Sequence, residues 1–121
     1  MADAALFIGF GRPARAREPQ AVELFERALE FFTELEGRGE IEGIEAAMLE
    51  PHGGELSGFF LLRGARDRLD RLRADEEFRR LSARAGLVVD DFGVVAGHVG
   101  EGLRDQLSLY RDQVEAQLGA S

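Results

Sequence analysis

The run Gly58-Phe59-Phe60-Leu61-Leu62 is apolar at every position that bears a side chain, and it limits the possible folds more than any other part of the chain. Bounded by Gly54 and Gly64, the stretch Leu56 to Arg63 reads as a β-strand. Successive side chains of a strand point to opposite faces, so Phe60 and Leu62 face one way while Phe59 and Leu61 face the other. Two more segments share this property. Ala4 to Phe10 sets Leu6, Ile8 and Phe10 against Phe7, and a strand centred on Phe92 to Ala96, within Val88 to Val99, sets Phe92 and Val94 against Val95 and Val99. A sheet with one wet face alternates apolar and polar residues. These strands do not, so both faces of their sheet need cover.

Helical spacing accounts for part of that cover. From Gln20 to Glu36 apolar residues recur at Ala21, Phe25, Ala28, Phe32 and Leu35, and Val22, Leu24, Leu29 and Phe31 widen the stripe into an extensively buried helix. Pro19 fits its first turn, and Gly37 and Gly39 end it. Ile44 to Glu50 reads as a further strand, followed by the turn signal Pro51-His52-Gly53-Gly54. A helical region opens over Asp67 to Arg73. It kinks near Ala74, restarts on an Asp75 cap with Phe78, Leu81 and Ala85 inward, and is predicted to stop at Gly86. A last helix, over 101–119, carries Leu103, Leu107, Tyr110, Val114 and Leu118 in one stripe.

The resulting order, βαββαβ plus a C-terminal helix, predicts one α+β domain over 1–121. Its architecture is a ferredoxin-like antiparallel sheet, strands ordered 4-1-3-2, with helices on one face. Those helices shelter one side only. Either the C-terminal helix folds back over the other side or a second copy of the sheet packs on it, and a large exposed apolar face is rare in soluble monomers. A homodimer is the expected solution.

The segment Gly54-Glu55-Leu56-Ser57-Gly58-Phe59-Phe60-Leu61-Leu62-Arg63 follows a turn. The helix Asp75-Glu76-Glu77-Phe78-Arg79-Arg80-Leu81 then leads into Val88-Val89-Asp90-Asp91-Phe92-Gly93-Val94-Val95. In this pattern, over residues 4 to 99, the chain resembles the dimeric α/β-barrel superfamily, and more closely its uncharacterised bacterial members. The resemblance implies two sheets closing face to face. It leaves activity open, since the superfamily holds cofactor-independent monooxygenases, haem enzymes and proteins without known activity. The Gly-Phe-Phe-Leu stretch is also similar to YCII-type domains, but Glu50-Pro51-His52-Gly53 stands here in place of their Asp-Gly-Pro loop, which removes that group's acidic site.

Charge and composition exclude several classes. Fifteen basic against 23 acidic residues give a net charge of −8, which repels phosphate backbones and anionic membranes, so neither nucleic acid nor membrane is an expected partner. The aromatic and basic third-strand signature of RNA-recognition modules is missing as well. All fifteen basic residues are arginine, and asparagine is absent too, a bias expected of a GC-rich bacterial genome. Without lysine there is no Schiff-base chemistry, and without cysteine no thiol nucleophile, disulfide or thiolate metal site. No stretch has the length of a membrane span or the layout of a signal peptide, so a cytoplasmic location is expected.

Candidate chemistry is sparse. His52 and His98 are the only histidines, but the topology puts His52 on the top rim and His98 at the bottom, too far apart to share a metal; no metal site and no cofactor is expected. His52 reads as a turn residue. His98 either lines a cavity between subunits or bonds the start of the last helix. Tyr110 joins them as a catalytic candidate, and Thr33 and Ser57 are further inward polar residues. Arg12, Arg15 and Arg17 reach the rim that holds Glu50, His52, Glu55, Asp90 and Asp91. They form either an anion pocket or ordinary surface pairs with those acids. Gly9-Phe10-Gly11 lacks the third glycine of a phosphate loop, and Asp90-Asp91, as strand neighbours, would point apart. The leading expectation is therefore a homodimer that binds a small apolar ligand in a cavity or only assembles. The alternative is a cofactor-independent monooxygenase or isomerase.

Overall fold

The computed structural model describes residues 2–119; Met1, Ala120 and Ser121, the ends of the expected domain, lie outside the described residues. Four strands form one sheet: β1 (Ala4–Phe10), β2 (Gly43–Met48), β3 (Gly58–Gly64) and β4 (Gly93–His98). The helices are α1 (Glu18–Gly37), α2 (Arg66–Ala74), α3 (Glu76–Val88) and α4 (Gly100–Val114), the last extended by a π-helical turn, Glu115–Gly119. The sheet is antiparallel throughout, in the order β2-β3-β1-β4. This is the ferredoxin-like arrangement expected from the sequence, with β1 and β3 in the centre.

Register sorts the side chains. Leu6 pairs with Leu62 and Ala96, and Ile8 with Phe60 and Val94, so these residues share a face. That face carries the core, in which Leu6, Ile8, Phe60 and Leu62 pack with Phe32 of α1, Leu69 of α2 and Phe78 of α3. The stripe of α1 is narrower than its sequence implies: Ala21, Leu24, Ala28, Phe32 and Leu35 are buried, but Val22 and Leu29 stay exposed. Asp75 adopts extended backbone, so α2 ends there. Its Oδ2 accepts from the N–H groups of Glu77 at 3.0 Å and Phe78 at 3.2 Å, the expected cap.

Three boundaries differ from expectation, each for a packing reason. Gly86 does not stop α3, because burial of Ala85 and Val88 carries the helix on, and the N–H of Val89 still bonds the Ala85 carbonyl. The strand after it consequently starts at Gly93. Asp90 and Asp91 then occupy a turn, Asp91 with φ +54, rather than consecutive strand positions. The connection between β2 and β3 is a broad loop over 49–57. Its base is closed by Leu49 N–H on the Ser57 carbonyl and Ser57 N–H on the Phe10 carbonyl, both 2.8 Å.

The second face of the sheet carries Phe7, Phe59, Leu61 and Val95. The rings of Phe7 and Phe59 pack in a tilted arrangement with centres 5.2 Å apart, and Val95 is 60% exposed. The C-terminal helix does not fold back over them. It begins at Gly100, and Gly102 sits so close to the Asp3 carbonyl that no side chain fits there; beyond that contact α4 has no buried residue. Leu103, Leu107, Leu109, Tyr110 and Leu118 are all exposed. The single chain consequently presents 8181 Å² of accessible surface, where a compact 13.3 kDa monomer has about 6,500 Å².

Leu62 is fully buried and Leu87 is 75% exposed. Urea denaturation is expected to show Leu62→Ala costing about 3 kcal/mol and Leu87→Ala less than about 0.5 kcal/mol. Similar losses at both positions would contradict the assignment of the core.

Candidate functional site

Between α1, α3 and the helix-facing side of the sheet lies a cavity of about 190 Å³. Its origin is local. Ala21 and Ala28 on α1 and Ala85 on α3 all line the space, and their methyl groups leave volume that longer side chains at these positions would fill. The wall is aromatic. Phe25 stacks on Phe60 at 5.0 Å, Phe32 meets Phe60 edge-on at 5.2 Å, and Phe10 meets Phe25 edge-on at 5.9 Å. Phe78 and Phe92 complete it. Among the described residues, Ser57 and Ser82 are the only polar side chains in the lining, no titratable group reaches it, and no polar residue is buried. A space of this kind stays dry and takes apolar molecules.

Exposed Pro13, Val22 and Met48 mark the mouth, at the end of the sheet where β1 stops. One side of the mouth is the loop 11–17, fixed by its backbone. Gly11 N–H bonds the Asp90 carbonyl at 2.7 Å, Asp90 N–H the Arg12 carbonyl at 2.8 Å, and Ala14 N–H the Val88 carbonyl at 2.7 Å. Gly11 is required here: a Cβ would lie 2.8 Å from the Asp90 carbonyl and 3.0 Å from that of Glu55. Arg12, Arg15 and Arg17 project from this loop and are exposed. They do not pair with the neighbouring acids. None of the three takes part in an ion pair among the described residues.

The other residues singled out in the sequence lie away from the cavity lining. The His52 ring donates from Nε2 to the Leu56 carbonyl at 2.6 Å and accepts at Nδ1 from Gly54 N–H at 3.2 Å. It staples the 49–57 loop to itself, and both ring nitrogens are occupied. His98 stands at the opposite end of the sheet, where its Nδ1 accepts from the Arg66 guanidinium at 3.2 Å. It pairs with Ala4 of β1 and so points to the helix side, neither across the open face nor to the start of α4. Tyr110 is 68% exposed on α4, and Thr33 donates to its own helix at the Leu29 carbonyl. Among the described residues no three His, Asp or Glu side chains converge as a metal set. Of the inward polar residues expected, only Ser57 lines the cavity. Ser82 also lines it, and its place four residues after buried Phe78 and three before buried Ala85 is the sequence signal for that inward position.

A ferredoxin-like sheet with an apolar pocket under its helices is thus the class that geometry defines. No protein-family model matches the chain, and no curated protein matches it in sequence. Several solved structures share the fold. A dimeric ferredoxin-like protein of unknown function from Thermobifida fusca is 15% identical, with TM-score 0.62 over 82% of this chain and 93% of that one. A dimeric protein of unknown function with a ferredoxin-like fold, from Bacteroides fragilis, is 11% identical, with TM-score 0.57 over 79% and 96%. A variant of SnoaB, a cofactor-independent oxygenase from Streptomyces nogalater, is 16% identical, with TM-score 0.55 over 82% and 93%. At these identities the likeness is one of fold. No described helix is long and apolar enough to cross a membrane.

Proposed function

We propose that the chain works as a homodimer, sheet face against sheet face, and that each subunit binds a small apolar molecule between its helices and sheet. The observation that carries the first half is the apolar second face, with Phe7, Phe59 and Leu61 half-buried and Val95 exposed, next to an α4 with no buried residue. A standard interface removes about 800 Å² from each partner. Removing that much would take a large part of the surplus surface of the single chain. Similar folds described as dimeric, from Thermobifida fusca and Bacteroides fragilis, lend support. The second half rests on the 190 Å³ aromatic cavity and its lack of titratable groups. Cysteine-free, lysine-free composition supports a cytoplasmic protein of a GC-rich bacterium.

Catalysis as a cofactor-independent oxygenase or isomerase is the second reading, favoured by the fold shared with SnoaB. Proton abstraction needs a base within reach of the substrate. Among the described residues two serine hydroxyls are all this cavity offers, and neither has a histidine or carboxylate in the lining to activate it. Oxygen uptake with an electron-rich phenolic substrate would turn the argument toward this reading.

Two expected outcomes test the proposal. Since the chain has no cysteine, Val95→Cys places a single thiol on the open face, and a short bismaleimide should join two copies through it. Leu87→Cys, on the outer side of α3, should join few. Equal yields at the two sites would refute face-to-face packing. Toluene should bind the wild type, seen as nuclear magnetic resonance shifts of cavity residues, and Ala28→Phe should abolish binding while the chain stays folded. Toluene binding undiminished by that substitution would remove the cavity from consideration.

A further inference from the structure

The mouth of the cavity differs in kind from its interior. Inside, the walls are hydrocarbon. At the rim, Gly11 and Pro13 contribute to the lining, and the same loop carries three guanidinium groups within six residues, at Arg12, Arg15 and Arg17. All three are exposed and outside any ion pair among the described residues. Arg27, Arg63, Arg68, Arg71, Arg80 and Arg104 each hold a carboxylate partner, whereas Arg38, Arg66, Arg73, Arg79, Arg84 and Arg111 are likewise outside any ion pair among the described residues but are not gathered on one loop at the mouth.

The loop that presents them is held in place. Its backbone is bonded to the 88–90 segment at Gly11, Arg12 and Ala14. Among the described residues the only non-glycine positions with left-handed backbone are Ala16, at φ +67 in this loop, and Asp91, at φ +54 in the turn beside it. Such backbone is unfavourable for residues with a side chain and collects at ligand clamps and switch regions. Asp90, Asp91, Glu50 and Glu55 share the rim and are exposed, yet they leave the arginines unpaired. A cationic head group is therefore the competing occupant.

Resting on the reading of the cavity as an apolar binding site, we infer that its ligand is an amphipathic anion. The apolar body lies among the phenylalanines, and a carboxylate or phosphate head is held at the mouth by Arg12, Arg15 and Arg17. Guanidinium forks match such oxyanions with paired, charge-assisted hydrogen bonds. Size limits the body. An apolar cavity of about 150 Å³ accommodates benzene, so one of 190 Å³ takes a substituted ring or a short alkyl chain.

Three probes of one shape and different charge provide the test: octanoate, 1-octanol and octylammonium, titrated calorimetrically into the wild type and into Arg12→Gln/Arg15→Gln/Arg17→Gln. In the wild type octanoate is expected to bind about tenfold or more tighter than 1-octanol, with octylammonium weakest. The triple variant should lose the preference for octanoate and bind 1-octanol as before. Octanoate affinity should also fall with added salt while that of 1-octanol does not, a readout that needs no variant. Equal affinity for the three probes, a preference for octylammonium, or salt-independent octanoate binding overturns the anionic head and leaves the apolar cavity standing. If none of the three binds, the cavity reading itself falls, and the inference falls with it.

Discussion

Strand β3 and its neighbour β1 bury apolar side chains against the helices with one set of residues and leave the other apolar set only half-buried. Nearly everything else in the molecule answers to that. Because Leu6, Ile8, Phe60 and Leu62 need shelter, α1, α2 and α3 gather on one side and form the core there. Because Phe7, Phe59 and Leu61 need it too, the chain is left with a face its own helices do not reach. Burying apolar area contributes about 25 cal/mol per Å², so a patch of several hundred Å² represents many kcal/mol of unused driving force. Hydrophobic burial, not ion pairing, decides this protein's architecture. Its ion pairs are exposed and contribute little individually.

The helix-covered side has its own irregularity. Close packing across α1 and α3 is interrupted where alanines meet, and the gap is walled by phenylalanines whose edge-on and stacked contacts keep it from collapsing. Packing defects of this size cost stability, roughly 24 cal/mol per Å³ in cavity-forming variants of other proteins. Occupancy by a ligand offsets such a cost, because anything that binds only the folded state stabilises it.

The sequence carried the fold well where periodicity was strong. Four strands, their order, the break at Ala74 and the Asp75 cap all follow from local pattern, and the structure has them. It misled where tertiary packing overrode local signals: Gly86 looks like a helix stop, but buried Val88 outweighs it, and the glycines after Pro51 suggest a tight hairpin where His52 staples a broad loop. The site was less legible than the fold. Titratable residues drew attention to His52, His98 and Tyr110, all engaged or exposed away from the lining. The cavity is made by what is absent at Ala21, Ala28 and Ala85, and missing volume gives no signal until the helices are placed in three dimensions.

The mass of the particle in solution tests the central claim most directly. Sedimentation equilibrium at micromolar concentration should give twice the 13.3 kDa of one chain, and Phe59→Glu with Leu61→Glu, which put charge on the open face, should return it to a single chain mass. A wild type that sediments as one stable, unaggregated chain would contradict the account, since its exposed sheet face would then need no cover.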